Sequence, residues 1–147
     1  MSAPGSASFR DPENAAFAFD GSWFRIAAPS SAAALRALRA STIYGSLTAE
    51  GSLVSFDEVD DPERRDGIVA AYEQSGGRPP AAGVAVFEVE PVDVVTYPWE
   101  WPNSLLESAA QLTLDLRMRL LSVGLDLKDA SAFNVQFRGR KPVFIDL

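Results

Sequence analysis

The segment "LKDASAFNVQFRGRKPVFIDL", Leu127 to Leu147, carries three oxygen-bearing side chains at suggestive spacings: Asp129, Asn134 and Asp146. Read as a loop followed by strand, basic turn (Arg138-Gly139-Arg140) and strand, it folds Asp146 back beside Asp129 and Asn134. Such a gathering makes a serviceable Mg²⁺–phosphate site. Asp129 would face an incoming hydroxyl, while the Asn134 amide and the Asp146 carboxylate would hold the metal. Asp and Asn are also ordinary turn and cap residues, because their side chains bond nearby backbone groups. An isolated Asp-x4-Asn favours that plainer reading. The strand–turn–strand ending in Ile-Asp, placed after an amphipathic helix, shifts the balance toward a kinase-like layout.

The composition narrows the chemistry further. With no Cys and no His among 147 residues, the chain has no thiol nucleophile, disulfide, His-based triad or Cys/His zinc site. Any metal must be held by oxygen, which favours Mg²⁺ or Ca²⁺. The net charge of −7 repels nucleic acid and anionic membranes, so neither is expected as a partner. No run approaches the ~20 apolar residues of a membrane span. The start, "MSAPGSASFRDPEN", lacks a basic region followed by an apolar one and is not a secretion signal. Residues 1–8 are expected to be a disordered tail and residues 9–147 a single domain, with a cytoplasmic location fitting the lack of Cys. An apolar content of 47% with 22% charged residues fits a globular core.

Local patterns supply the elements that would position these residues. "AAFAFDGSWFRIA" reads as a hairpin turning at Asp20-Gly21. In "PSSAAALRALRA", Ser30 or Ser31 can cap a helix with Ala34, Leu35 and Leu38 on one side. A short helix is expected around Ile43 to Leu47, a strand in "SLVSFDEV", and a helix opened by Pro62 and running through Tyr72. "VAVFEVEPVDVV" gives one or two strands broken at Pro91. "YPWEWPNS" is an aromatic connector. From Ser104, with Glu107 as the partner in a capping box, Leu105, Ala109, Leu112, Leu116, Leu120 and Val123 follow helical spacing to Gly124. The expected class is α+β: an antiparallel sheet with flanking helices, a connector, one long amphipathic helix and a C-terminal β-hairpin.

The order strand ("VAVFEVE"), connector ("TYPWEW"), long helix, "KDASAFN", hairpin and "VFID" resembles the middle of the protein-kinase-like fold, nearest its aminoglycoside-phosphotransferase and choline-kinase branch. More specifically, "YPWEW", "SLLESAAQLTLDLRMRLL", "LKDASAFNVQFRGRKPVFID" and the early Arg10-Asp11-Pro12 resemble the N-terminal region of a bacterial family of class I S-adenosylmethionine-dependent methyltransferases. This likeness spans about Phe9 to Asp146. It implies a kinase-like binding or positioning module, with S-adenosylmethionine and methyl transfer belonging to a downstream domain that would be a partner of this segment. On that view the chain is a piece of a longer protein.

The kinase likeness makes Asp129 the catalytic-loop residue and Asn134 and Asp146 the metal ligands. It leaves Arg25, in "SWFRIA", as the stand-in for the lysine that grips nucleotide phosphates, since the lysines are Lys128 and Lys141 alone. Arginine binds phosphate through a bidentate fork rather than as a point charge. Leu127 occupies the position of the usual His or Tyr, and no Gly-x-Gly-x-x-Gly covers the first hairpin. Gly76-Gly77 runs into "RPP", which cannot open a helix around a methyl donor. Catalysis by this chain alone is therefore not expected. Two other readings stand beside this one: a small-molecule kinase-like or nucleotide- and Mg²⁺-binding pseudokinase remnant, and a purely structural module.

Overall fold

The computed structural model describes residues 11–146, so the expected tail, residues 1–8, lies outside the described residues. The architecture is α+β: a four-stranded antiparallel sheet, four helices and a C-terminal two-stranded hairpin. The chain divides into two compact units, Met1–Ala34 with Phe56–Pro91 and Leu35–Ser55 with Val92–Leu147.

In the first unit, β1 (Asn14–Phe19) and β2 (Ser22–Ala27) pair from Asn14↔Ala27 to Phe19↔Ser22. Asp20 and Gly21 have φ of 48° and 78°. Two successive positive φ values define the turn whose twist matches a two-residue hairpin, and Asp-Gly tolerates them best. Three-residue β3 (Phe56–Glu58) and β4 (Ala85–Val89) complete the sheet in the order β1-β2-β4-β3. Ala15, Phe17, Phe24, Ile26 and Val86 share one face and form a core with Ile68 of the helix Pro62–Gln74. Burying each large apolar side chain contributes roughly 1.5–3 kcal/mol. That helix opens at Pro62, as the sequence indicates, and the Asp61 side chain caps it by accepting a hydrogen bond from the Arg64 N–H at 2.9 Å. Phe56 and Phe87, on the other face, meet edge-on at 5.9 Å and are buried.

Numbered in chain order, the helices are α1 (Pro29–Ala40), α2 (Tyr44–Ala49), α3 (Pro62–Gln74) and α4 (Asn103–Leu121). α1 does not use its serines as caps. Ser30 Oγ donates to Glu13 Oε1 and Ser31 Oγ to Asn14 Oδ1, tying the helix start to the start of β1. Ala32, Leu35 and Leu38 form its buried side, whereas Ala34 is exposed. Two expected strands shrink. "SLVSFDEV" yields only Phe56–Glu58, and Val92 to Val95 form no strand, because Pro91 follows β4 and has no N–H for a ladder.

In the second unit, α4 packs against the hairpin β5 (Val135–Arg138) and β6 (Lys141–Phe144). Ala109, Leu112, Leu116 and Leu120 are its buried stripe. Its N-cap is Pro102, with no side-chain cap, so Ser104 sits inside the first turn and the expected capping box does not form. Proline's fixed φ is already suited to entry into a helix. Gly124, at φ 77°, ends α4. Leu125 N–H bonds to Leu120 O (3.0 Å) and Gly124 N–H to Leu121 O (3.1 Å), the Schellman pattern. Residues 52–54 lie along β6 through Phe144 N–H to Ser52 O (2.9 Å) and Val54 N–H to Phe144 O (3.1 Å). Arg119 of α4 reaches Glu50 and donates to Ser46 Oγ at 2.9 Å. Among the described residues, no helix is long and apolar enough to cross a membrane.

Candidate loop–hairpin site

Asp129, Asn134 and Asp146 all belong to the second unit, whereas Arg25 lies on β2 of the first. Arg25 is half-buried and opposite Ala16 and Phe87, on the face away from α3.

The loop that bears Asp129 is anchored at both ends. Where it leaves α4, Arg117 donates twice to the Asp126 carboxylate, at 2.9 and 3.1 Å. These bonds, with the Leu127 N–H, hold the Asp126 carboxyl below the usual carboxylate range and raise Arg117 above its own. Gly124 makes the pair possible by reversing the chain, so that residues nine apart meet. At the other end, Asp129 Oδ1 accepts the Ser131 N–H (3.0 Å) and Ser131 Oγ accepts the Phe133 N–H (3.3 Å), starting the 3-10 turn Ala132–Asn134. Asp129 is thus, in part, the turn former that its residue type suggests.

Asn134 is 8% exposed and Nδ2 donates to the Asp129 carbonyl at 3.1 Å. With its donor group used in this bond, Oδ1 is the group it can offer a ligand. The hairpin then returns as expected. Arg138 pairs with Lys141 around Gly139, which has φ 64°. Val135 pairs with Phe144, and the Ile145 N–H bonds to Asn134 O at 2.8 Å. Asp146 is the next residue and is half-buried. Backbone pairing therefore brings the Asp146 segment to Asn134, and a side-chain bond brings Asn134 to Asp129. Among the described residues no group of three or more Asp, Glu, His or Cys is arranged to hold a metal. Asn134 and Asp146 carry an amide and a carboxylate oxygen, the donor types that a hard cation takes. Mg²⁺ accepts such a pair because it keeps several waters and takes oxygens from a substrate phosphate.

The connector before α4 is pinned by a residue that sequence reasoning missed. Gln136, 4% exposed on β5, accepts the Thr96 N–H on Oε1 (2.8 Å) and donates from Nε2 to Thr96 O (3.0 Å). Trp101 donates from its indole to Thr96 Oγ1 at 2.8 Å and packs edge-on to Phe137. Tyr97 and Glu100 cap each other, with the Tyr97 N–H on Glu100 Oε2 at 2.8 Å. The result displays Trp99, 71% exposed, stacked on Tyr97 at 4.7 Å and edged by Phe133. Only the alternation of β5, which turns Gln136 to the side opposite Val135 and Phe137, hints at its role in the sequence.

These features define an α+β protein whose C-terminal hairpin packs on its long helix. Over 139 residues the chain is 34% identical to the nodulation protein NoeA of Rhizobium meliloti (strain 1021), a match covering 95% of this chain and 26% of that protein. The chain therefore spans about a quarter of the length of the curated relative it matches. No protein-family model matches it, and no solved structure does.

Proposed function

We propose that this chain is a kinase-like binding or positioning module of an S-adenosylmethionine-dependent methyltransferase-family protein, with methyl transfer carried out by another domain. The motifs "YPWEW" and "LKDASAFNVQFRGRKPVFID" support the family, and the relative, about four times as long, leaves room for a further domain. The observation that carries the module reading is the linked loop and hairpin: Asn134 bonded to Asp129, and Ile145, the neighbour of Asp146, bonded to Asn134. Asn134 Oδ1 and Asp146 would hold the Mg²⁺ of a bound nucleotide, neutralising phosphate charge. Asp129 would orient a hydroxyl beside it.

Calorimetric titration of Mg²⁺-ATP into the protein tests this, together with a methyl-transfer assay on residues 1–147. Expected are Mg²⁺-dependent heat that disappears in Asp146→Ala, and no methyl transfer. A flat titration removes the nucleotide part of the reading and leaves a structural module. Measured methyl transfer from this chain overturns the division of labour.

The fixed orientation of Asn134 also favours a second reading, a pseudokinase remnant binding nucleotide for its own sake. It predicts the same titration, lost in Asp146→Ala, with no γ-phosphate release, whereas a small-molecule kinase-like remnant would pass the γ-phosphate slowly to water and stop in Asp129→Asn.

A further inference from the structure

The long helix α4 is apolar on two opposite sides. Its buried stripe, Ala109, Leu112, Leu116 and Leu120, follows the spacing of a single face. At 100° per residue, Leu114, Met118 and Leu121 stand on the reverse side, and they are 64%, 69% and 54% exposed, with Leu106 at 38% along the edge. A helix covered on one side carries polar residues at those positions. One exposed leucine needs no explanation, but a row at i, i+4 and i+7 is a contiguous apolar patch of the kind that marks interaction surfaces.

The charges beside the row define what fits. Arg117 is spent on Asp126, and Arg119 on Glu50 with Asp115 at 3.6 Å. Both cations of the helix are therefore neutralised from within the chain. Glu107 is the charge along the row that no described residue meets with a hydrogen bond or ion pair. An acidic flank on a chain of net charge −7 disfavours an anionic lipid surface. From Leu106 to Leu121 the row is about 22 Å long at ~1.5 Å per residue. A second copy docked row to row would bring another Glu107 and, from its own α4, no cation left unpaired among the described residues. A helix fits the row because four-residue ridges interlock with those of a neighbour.

We infer that the Leu106–Leu121 side of α4 docks an amphipathic helix with basic flanks, one that belongs to the portion of a longer NoeA-like protein outside the 139 matched residues. The inference rests on the module reading above and adds the surface by which the module attaches.

Two probes test it by fluorescence anisotropy: an 18-residue helical peptide with Leu on one face and Lys on its flanks, and NoeA lacking the matched segment. Both are expected to bind the wild-type chain and to weaken at least tenfold with L114Q/M118Q, whose thermal melt stays unchanged because both positions face solvent. The same peptide with Glu flanks is expected to bind at least tenfold more weakly. Unweakened binding by L114Q/M118Q, or equal binding of the Lys and Glu peptides, overturns the proposal. Binding of the peptide but not of truncated NoeA overturns the occupant, and no binding of either overturns the surface. Sedimentation showing a dimer that L114Q/M118Q dissolves assigns the face to a second copy and overturns the proposal. None of these outcomes alters the Mg²⁺-ATP titration, so the surface and the nucleotide site fail separately.

Discussion

Replacing Gln136 by glutamate changes one atom and reverses half of a hydrogen-bond clamp. In the wild type, Oε1 accepts the Thr96 N–H and Nε2 donates to Thr96 O, in a setting where Gln136 is 4% exposed. In Gln136→Glu the first bond survives. The second is replaced by a carboxylate oxygen facing a carbonyl oxygen. The lost bond is worth about 1 kcal/mol, and a buried acceptor without its donor costs a further ~1–3 kcal/mol. The expected destabilisation at pH 7 is therefore roughly 2–4 kcal/mol. Burial and the facing carbonyl raise the folded-state pKa of the introduced carboxyl above its unfolded value of about 4.3. Its protonated form restores an O–H donor toward Thr96 O. The deficit should thus be small below about pH 4 and grow as pH rises through the folded pKa. Urea unfolding of both proteins between pH 4 and 8, with matched m values, measures it. A deficit under about 0.5 kcal/mol at pH 7, within the range of an ordinary surface change, would refute the clamp. So would a deficit independent of pH.

Gly77→Ala should destabilise by about 1–3 kcal/mol in thermal or urea unfolding, since its Cβ would overlap a ring carbon of Tyr72, itself packed edge-on to Phe17. Asp61→Ala should cost roughly 1 kcal/mol by removing the α3 cap, and Asp61→Asn should recover most of it in the same measurement. Glu88 is held below the ordinary glutamate range by hydrogen bonds from Ser22 and Arg64. A lowered folded-state pKa gives stability that is present at neutral pH and lost as pH falls below the unfolded value of about 4.3 and through the folded one. Glu88→Gln should accordingly flatten the acid limb of the stability curve, by no more than about 1 kcal/mol for a pair this exposed.

Features governed by local chemistry were legible in the sequence. Asp20-Gly21 and Gly139 mark hairpins because their backbones need positive φ, Pro62 opens α3, and Gly124 stops α4. The spacing of Ala109, Leu112, Leu116 and Leu120 named the buried side of α4 correctly. The α4 start was misjudged because Ser104 and Glu107 look like a box, yet the cap is Pro102, two residues earlier, and the helix begins at Asn103. Other features depend on partners far apart in sequence. Gln136 meets a residue 40 positions away and Arg119 one 69 away, and no periodicity encodes such meetings. Of the candidate site, the hairpin return and the Asp129–Asn134 proximity could be read. The amide that turns Asn134, and the Arg117–Asp126 anchor before it, could not.

The sheet's outermost strands are unequal. β3 contributes three residues, while β1 contributes six. The border along β3 is so brief that it offers another polypeptide almost no run of backbone groups on which to template. Lengthening β3 with further β-branched residues would remove that protection and give ordered aggregates a place to grow.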